Sequence, residues 1–363
     1  MTVREQRIDI IKGITIVLMV LGHSGFAGKK FIYLFHMAVF FMVSGYLFKP
    51  NYEGRIRGIS VYILKKVKSI WLPYFIWNAV YTLLNNVLIK WNIYSATTFE
   101  VADTVVNKHP YMSFAEMAKN IVKGIAMVGR TELGGAFWFL RTLFALTILF
   151  CIADYILNCL FKKEIVKDVI HLVISVGFLG CGYITHLMGI KAISVSVVLS
   201  SYILYFGGYM IKKYKLMSCI PKAVGIIAGV VVLLLCYFGP GISIGDNSYG
   251  NPLYLLICSA AGWVLVYEIA RIWEEIGGTR IIAYIGQKTM AIVIHHFWCF
   301  KLVHCIQIAV YGYPIKSLAA FPNLKCDHGW WLAYLTAGVL LPILLNFVWE
   351  KPVRLLHNRQ KCK

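Results

Sequence analysis

Ten apolar runs, separated by short polar and basic segments, divide the chain at about 8–26, 31–48, 69–91, 137–157, 168–188, 192–211, 221–239, 251–270, 281–305 and 331–349. Each is close to the roughly 20 residues that an α-helix needs to cross about 30 Å of hydrocarbon. The pattern predicts an all-α integral membrane fold: a single bundle of about ten transmembrane helices, in one domain over residues 1–363. Most connections are short. The exception is the outer segment 92–136, where FAEMAKNIVKGI sets Phe114, Met117, Ala118, Ile121, Val122 and Ile125 on one stripe, opposite Glu116, Lys119 and Lys123. That stripe predicts an amphipathic helix in the outer interface, held by simple packing rather than acting as a lid. No internal repeat of solenoid length and no low-complexity stretch interrupts the pattern.

Composition agrees with the pattern. Of the 363 residues, 59% are hydrophobic and 14% charged, whereas a globular chain is roughly 45–50% apolar. Such a chain in water would expose large apolar patches, and a bilayer solvates them instead. The net charge of +20 does not point to nucleic acid, because the basic residues form short clusters between apolar runs rather than one basic domain or tail. With both termini cytoplasmic, the inner segments from Arg4 to Lys363 hold 22 basic residues and the outer segments 9, including Lys191. This is the bias expected of a multi-pass protein of a cell (inner or plasma) membrane. The first run carries Asp9 and Lys12, so it reads as a retained helix rather than a cleaved leader. The ten cysteines show no C-x-x-C spacing and read as small packing residues, so no metal is expected.

Ionisable groups inside the runs carry the candidate chemistry, since each costs roughly 2.5–3.5 kcal/mol near the centre of a span. Lys12 and His23 are eleven residues apart in RIDIIKGITIVLMVLGHSGF, which returns them to one helix face within roughly 20° at about 16 Å axial separation. Asp9 lies on the same side at the inner end. His36 enters the second run from outside, Arg141 sits early in AFWFLRTLF, and His295 and His296 lie late in the ninth run. These groups share the outer depth. The adjacent histidines point about 100° apart, so at most one faces a shared site. Several have bland readings as well. Arg141, Lys288 and Lys301 can snorkel to the surface, His295 reads as structural, and His304 reads as part of the outer interface. On the inner side Lys65, Lys66 and Lys68 in YILKKVKSIWLPYF serve either to fix orientation or to meet phosphates. In FFMVSGYLF, Ser44 and Gly45 allow close helix approach.

The segments RIDIIKGITIVLMVLGHS, FIYLFHMAVFFMVSGYLF, YILKKVKSIWLPYFIW, AFWFLRTLF and YIGQKTMAIVIHHF together resemble the acyltransferase 3 family of ten-span membrane proteins, in its fucose 4-O-acetylase-like branch. The resemblance covers almost the whole chain, and the first two segments are its specific part. It implies an O-acetyltransferase that moves an acetyl group from cytoplasmic acetyl-CoA to a hydroxyl of a cell-surface or lipid-linked glycan. In that family the first span carries a basic residue, ten intervening residues and a histidine, positions held here by Lys12 and His23. The resemblance makes His23 the candidate catalytic base, with Lys12 helping to hold the acyl-CoA or to organise the site. Asp9, Lys65, Lys66 and Lys68 would meet the acetyl-CoA. His36, Arg141 and His296 would orient the sugar or stabilise the oxyanion. Lysine at position 12, where members often have arginine, gives up bidentate phosphate contact. Ala38 stands where the branch commonly has proline.

No carboxylate lies in an apolar run beside His23. The nearest are Glu100, Asp103, Glu116 and Glu132 in the outer segment, so a lone base is expected, with direct transfer and an acyl-histidine both open. Membrane lipids and polysaccharide-assembly machinery are the further candidate partners. The rival reading is a transporter of a glycan, lipid-linked sugar or organic anion, which would also place polar groups at two depths. It lacks paired Gly/Pro-interrupted helices in matching halves.

Overall fold

All ten apolar runs are helical in the computed structural model, which describes residues 5–49, 56–102, 104–189 and 193–361. Arg4, Arg55, Lys191 and Lys363, counted above for orientation, and Asp103 lie outside the described residues. In chain order the helices are α1 (Gln6–His23), α2 (Lys29–Tyr33), α3 (His36–Tyr46), α4 (Ile56–Lys66), α5 (Leu72–Leu83), α6 (Asn85–Lys90), α7 (Phe114–Ile125), α8 (Phe137–Leu160), α9 (Glu164–Leu187), α10 (Ile193–Lys213), α11 (Ala223–Phe238), α12 (Pro252–Ile276), α13 (Arg280–Gln287), α14 (Thr289–Tyr311) and α15 (Trp330–Lys361). Five stretches, α8, α9, Ser194–Lys213 of α10, α12 and α14, are both long and apolar enough to cross a membrane.

Three runs expected as single helices are interrupted. The second breaks at Leu34–Phe35, where Phe35 leaves helical geometry at φ −141°. The third passes through a π turn, Val67–Trp71, in which the Leu72 N–H bonds the carbonyl of Val67. Pro73 follows and has no N–H to offer Ser69, so widening to i→i+5 bonding keeps the ladder going. The ninth breaks at Lys288, between α13 and α14.

The chain forms two compact units. The first comprises Met1–Thr15, Lys30–Tyr74 and Phe137–Thr279, and the second Ile16–Lys29, Phe75–Ala136 and Arg280–Lys363. In the first unit α10 packs against α3, α8 and α9, and α11 lies on α12. The α3–α10 crossing is so close that a Cβ at Gly45 would stand 1.8 Å from the carbonyl oxygen of Tyr205, and one at Gly208 would stand 1.8 Å from that of Met42. Phe150 fills the space beside this crossing, in ring contact with Phe48, His171 and Tyr205. Charged groups gather at the helix ends: Lys213 donates to Glu164 and Asp168, and Arg7 to Glu274 and Tyr267.

In the second unit α14 packs along α15, with Gly338 admitting Phe300 and Val20 to within 2.7 Å of where its Cβ would be. The segment after α14 folds back over it through a 3₁₀ turn, Ile315–Ala319. This corrects two expectations. Lys301 does not snorkel: it is 6% exposed and donates to the carbonyls of Leu318 (3.1 Å) and Ala320 (2.8 Å). His304 is likewise fully buried, with Nδ1 3.3 Å from the Leu318 oxygen, rather than lying at the interface. The returning chain supplies the polar partners that solvent would otherwise have given.

The amphipathic helix α7 begins and ends with the predicted stretch, started by a capping box between Ser113 and Glu116. Asn120 ties it down through Thr82 Oγ1 (2.7 Å) and the Arg130 carbonyl. Simple packing does not account for its apolar stripe, because Phe114 (83% exposed), Val122 and Ile125 face outward. An exposed apolar stripe beside a charged one is the pattern of a helix lying in a lipid interface. Ahead of α7, strands β1 (Phe99–Val101) and β2 (Thr104–Val106) form an antiparallel hairpin that the reading of the apolar runs did not anticipate.

Candidate functional site

His23 closes α1, and the turn that follows holds it in place. Ser24 N–H returns to the Leu21 carbonyl, and Asn323 Nδ2 donates to the carbonyl of His23 at 2.8 Å. Gly25 makes the turn at φ +82°, and a Cβ there would stand 2.0 Å from Cys326 Sγ, so both conformation and space require glycine. The His23 side chain is half-buried. Its ring stacks on His296 with centroids 5.5 Å apart and meets the edge of Phe297 at 5.1 Å.

His296, rather than His295, is the histidine of α14 that meets His23. It is fully buried, and its Nδ1 lies 2.9 Å from the Ile292 carbonyl. A carbonyl only accepts, so Nδ1 carries the proton and Nε2 presents a lone pair. That Nε2 is buried without a hydrogen-bond partner among the described residues. His295 points elsewhere: its ring lies 4.2 Å from Trp77 and near the Tyr81 hydroxyl. The roughly 100° between successive side chains on a helix accounts for the separation.

The other sequence-derived candidates belong to the first unit. Asp9 is 5% exposed and pairs with Lys12, Nζ to Oδ1 3.4 Å, one turn along α1. Lys65 and Lys68 are exposed, whereas Lys66 is half-buried with its ammonium 5.3 Å from the Tyr62 ring centre. His36 is buried at the start of α3, with Nδ1 2.9 Å from the Ile32 carbonyl and its ring against Tyr33. Arg141 is half-buried in the first turns of α8. Among these candidates His23 meets His296 and Asp9 pairs with Lys12. Both ends of the predicted stripe lie on one unbroken helix, α1.

A histidine–carboxylate pair stands elsewhere in the second unit. In the segment 92–136 His109 Nε2 lies 2.8 Å from Glu132 Oε2, with the His109 ring stacked on Tyr94 at 4.5 Å. Glu132 was visible in sequence as a carboxylate of that segment. His109 gave no signal, since nothing local marks it as that residue's partner across 23 positions.

The family model described as an acyltransferase domain matches residues 5–348. No curated protein matches the chain, and no solved structure does.

Proposed function

The chain belongs to the acyltransferase family whose domain it matches, and from that premise we propose that it moves an acetyl group from cytoplasmic acetyl-CoA to a hydroxyl of a cell-surface or lipid-linked glycan, with His23 as general base. It is a multi-pass membrane acyltransferase, as its long apolar helices and its family both indicate. The proposal places it in a cell membrane with ten crossings and both termini cytoplasmic. The fucose 4-O-acetylase-like resemblance supports a sugar as acceptor. The observation that carries the catalytic assignment is the imidazole of His23 at the end of α1, stacked on the buried His296 and bounded by Phe297.

In this reading Lys12 and the lysines at 65, 66 and 68 attract the phosphates of the donor, and the pantetheine arm follows the face of α1 towards His23. Neutral His23 takes the proton of the acceptor hydroxyl as that oxygen bonds to the thioester carbonyl carbon. The C–S bond then breaks, the sulfur leaves with the electron pair, and the imidazolium returns the proton to it. His296 and His36 each give Nδ1–H to a backbone carbonyl, so in the neutral form their remaining nitrogens accept hydrogen bonds. They suit orienting a hydroxyl rather than holding an oxyanion. Arg141, whose guanidinium only donates, is the group of the three with the chemistry for that charge.

The test compares purified wild-type protein with His23→Ala and Lys12→Ala, measuring acetyl-CoA turnover and sugar acetylation. His23→Ala should lose about 10²–10⁴-fold in turnover, the usual share of a general base. Lys12→Ala should chiefly raise the donor concentration needed. A folded His23→Ala protein with near-normal turnover would overturn the base assignment. Thermal stabilisation by glycans but not by CoA would favour the transporter instead.

A further inference from the structure

Beside the His109–Glu132 pair lies a cavity of about 460 Å³, walled by groups of the second unit, among them Tyr94, Lys108, His109, Arg130, Thr131 and Glu132. Its size is that of a small-molecule site, about 300–1,000 Å³. Its walls are unfinished in hydrogen bonding. Glu132 Oε2 is taken by His109, but Glu132 Oε1 is buried without a hydrogen-bond partner among the described residues, and so is Thr131 Oγ1. Buried polar groups are nearly always met by a hydrogen bond, so the wall calls for a ligand rich in hydroxyl donors. Two cations, Lys108 and Arg130, stand exposed at the same cavity and have no ion pair among the described residues. One carboxylate among cations is a poor metal site, and an apolar ligand would strand the polar wall.

The cavity also lies close to the proposed base within its own unit. Phe321 lines it, the Phe321 ring is 4.7 Å from Phe297, and Phe297 is 5.1 Å from His23. Gly135 keeps this path narrow, since a Cβ there would come within 3.1 Å of both phenylalanine rings.

We infer that this cavity is the acceptor subsite and that it binds an acidic glycosyl residue. Glu132 Oε1 and Thr131 accept ring hydroxyls, the Tyr94–His109 stack supports the ring, and Lys108 and Arg130 meet the sugar's anionic group. The inference deepens the acetyltransferase reading and rests on it for the word acceptor. Binding itself is testable without turnover.

The experiment uses the full chain in detergent, with saturation-transfer NMR on methyl glucuronide and methyl glucoside, which differ at one carbon. The glucuronide should give the stronger ring-proton signal. The near-isosteric variants Glu132→Gln and Thr131→Val should weaken its binding, Glu132→Gln by about tenfold. Lys108→Ala with Arg130→Ala should erase the preference for the glucuronide, and CoA-induced thermal stabilisation should be unchanged in all of them. The inference is overturned if neither glycoside gives a signal, if Glu132→Gln binds like wild type, or if CoA displaces the glucuronide. Failure of wild type to acetylate any sugar, with the binding pattern intact, would instead sink the acetyltransferase reading and leave the site standing.

Discussion

The α3–α10 crossing offers a stability test whose size follows from its geometry. Gly45 faces the Tyr205 carbonyl and Gly208 faces the Met42 carbonyl, each at 1.8 Å from where a Cβ would lie. The two contacts are reciprocal, since Met42 and Tyr205 lie three residues before the opposing glycines. An ordinary Cβ contact begins near 3.4 Å, so either alanine forces the backbones apart by about 1.6 Å, and the rigid carbonyl cannot swing away. Overpacking of this kind costs about 1–3 kcal/mol. It outweighs the roughly 0.5–1 kcal/mol that alanine gains over glycine inside a helix. One separation of the helices relieves both clashes, so Gly45→Ala with Gly208→Ala should cost clearly less than the sum of the single changes. Gly177→Ala and Gly180→Ala on α9, with nothing within 4 Å, serve as controls and should be neutral or stabilising. Reversible unfolding in mixed detergent micelles measures all five variants. Stabilisation by Gly45→Ala, or strict additivity in the double variant, would refute backbone contact at this crossing.

Two further outcomes follow from the second unit. Lys301→Met removes the donor to the Leu318 and Ala320 carbonyls and should cost about 1–3 kcal/mol, with faster amide exchange across residues 315–324, because the Ala320 carbonyl is left unpaired while His304 still meets that of Leu318. At the start of α7, the Ser113 N–H and hydroxyl donate to the Glu116 carboxylate and hold its pKa below the usual carboxylate range. A carboxyl whose folded-state pKa is depressed stabilises the helix above its unfolded value, and that contribution fades as pH falls through the folded one. Protection of the first turn of α7, corrected for intrinsic exchange, should therefore drop on acidification in the wild type, and Glu116→Gln should abolish this dependence.

Local features were the most legible in sequence. The bounds of α7 are written in a stripe and a capping box that both act within a few residues, so no distant contact was needed to find them. The hairpin of β1 and β2 carried a local sign too, the polar–apolar alternation of TFEV and the β-branched run TVV on either side of Ala102, too short to register as an apolar run. Features set by chain return were not legible. The adjacent His295 and His296 differ only in helical phase, so local pattern left the choice open and only the family resemblance singled out His296, the one that meets His23. Lys301 and His304 looked like outer-surface groups because their partners come from residues 318–320, after the chain has reversed. Gly45 was read as permitting close approach, while its reciprocal partner Gly208, more than 160 residues away, shows only in three dimensions.

The division of the candidate groups between the two units bears on how a two-substrate reaction is organised. Asp9, Lys12, Lys65, Lys66 and Lys68, proposed for a phosphate-bearing donor, all fall in the first unit. His23, His296 and the cavity beside Glu132 fall in the second, whereas His36 and Arg141, proposed for the acceptor hydroxyl and the oxyanion, fall in the first. Helix α1 contributes to both, with Lys12 in one and His23 in the other. A polyanionic donor and a hydroxyl-rich acceptor require opposite surroundings: clustered cations for one, and a carboxylate with uncommitted acceptors for the other. The proposed base therefore shares one unbroken helix with Lys12, eleven residues along it.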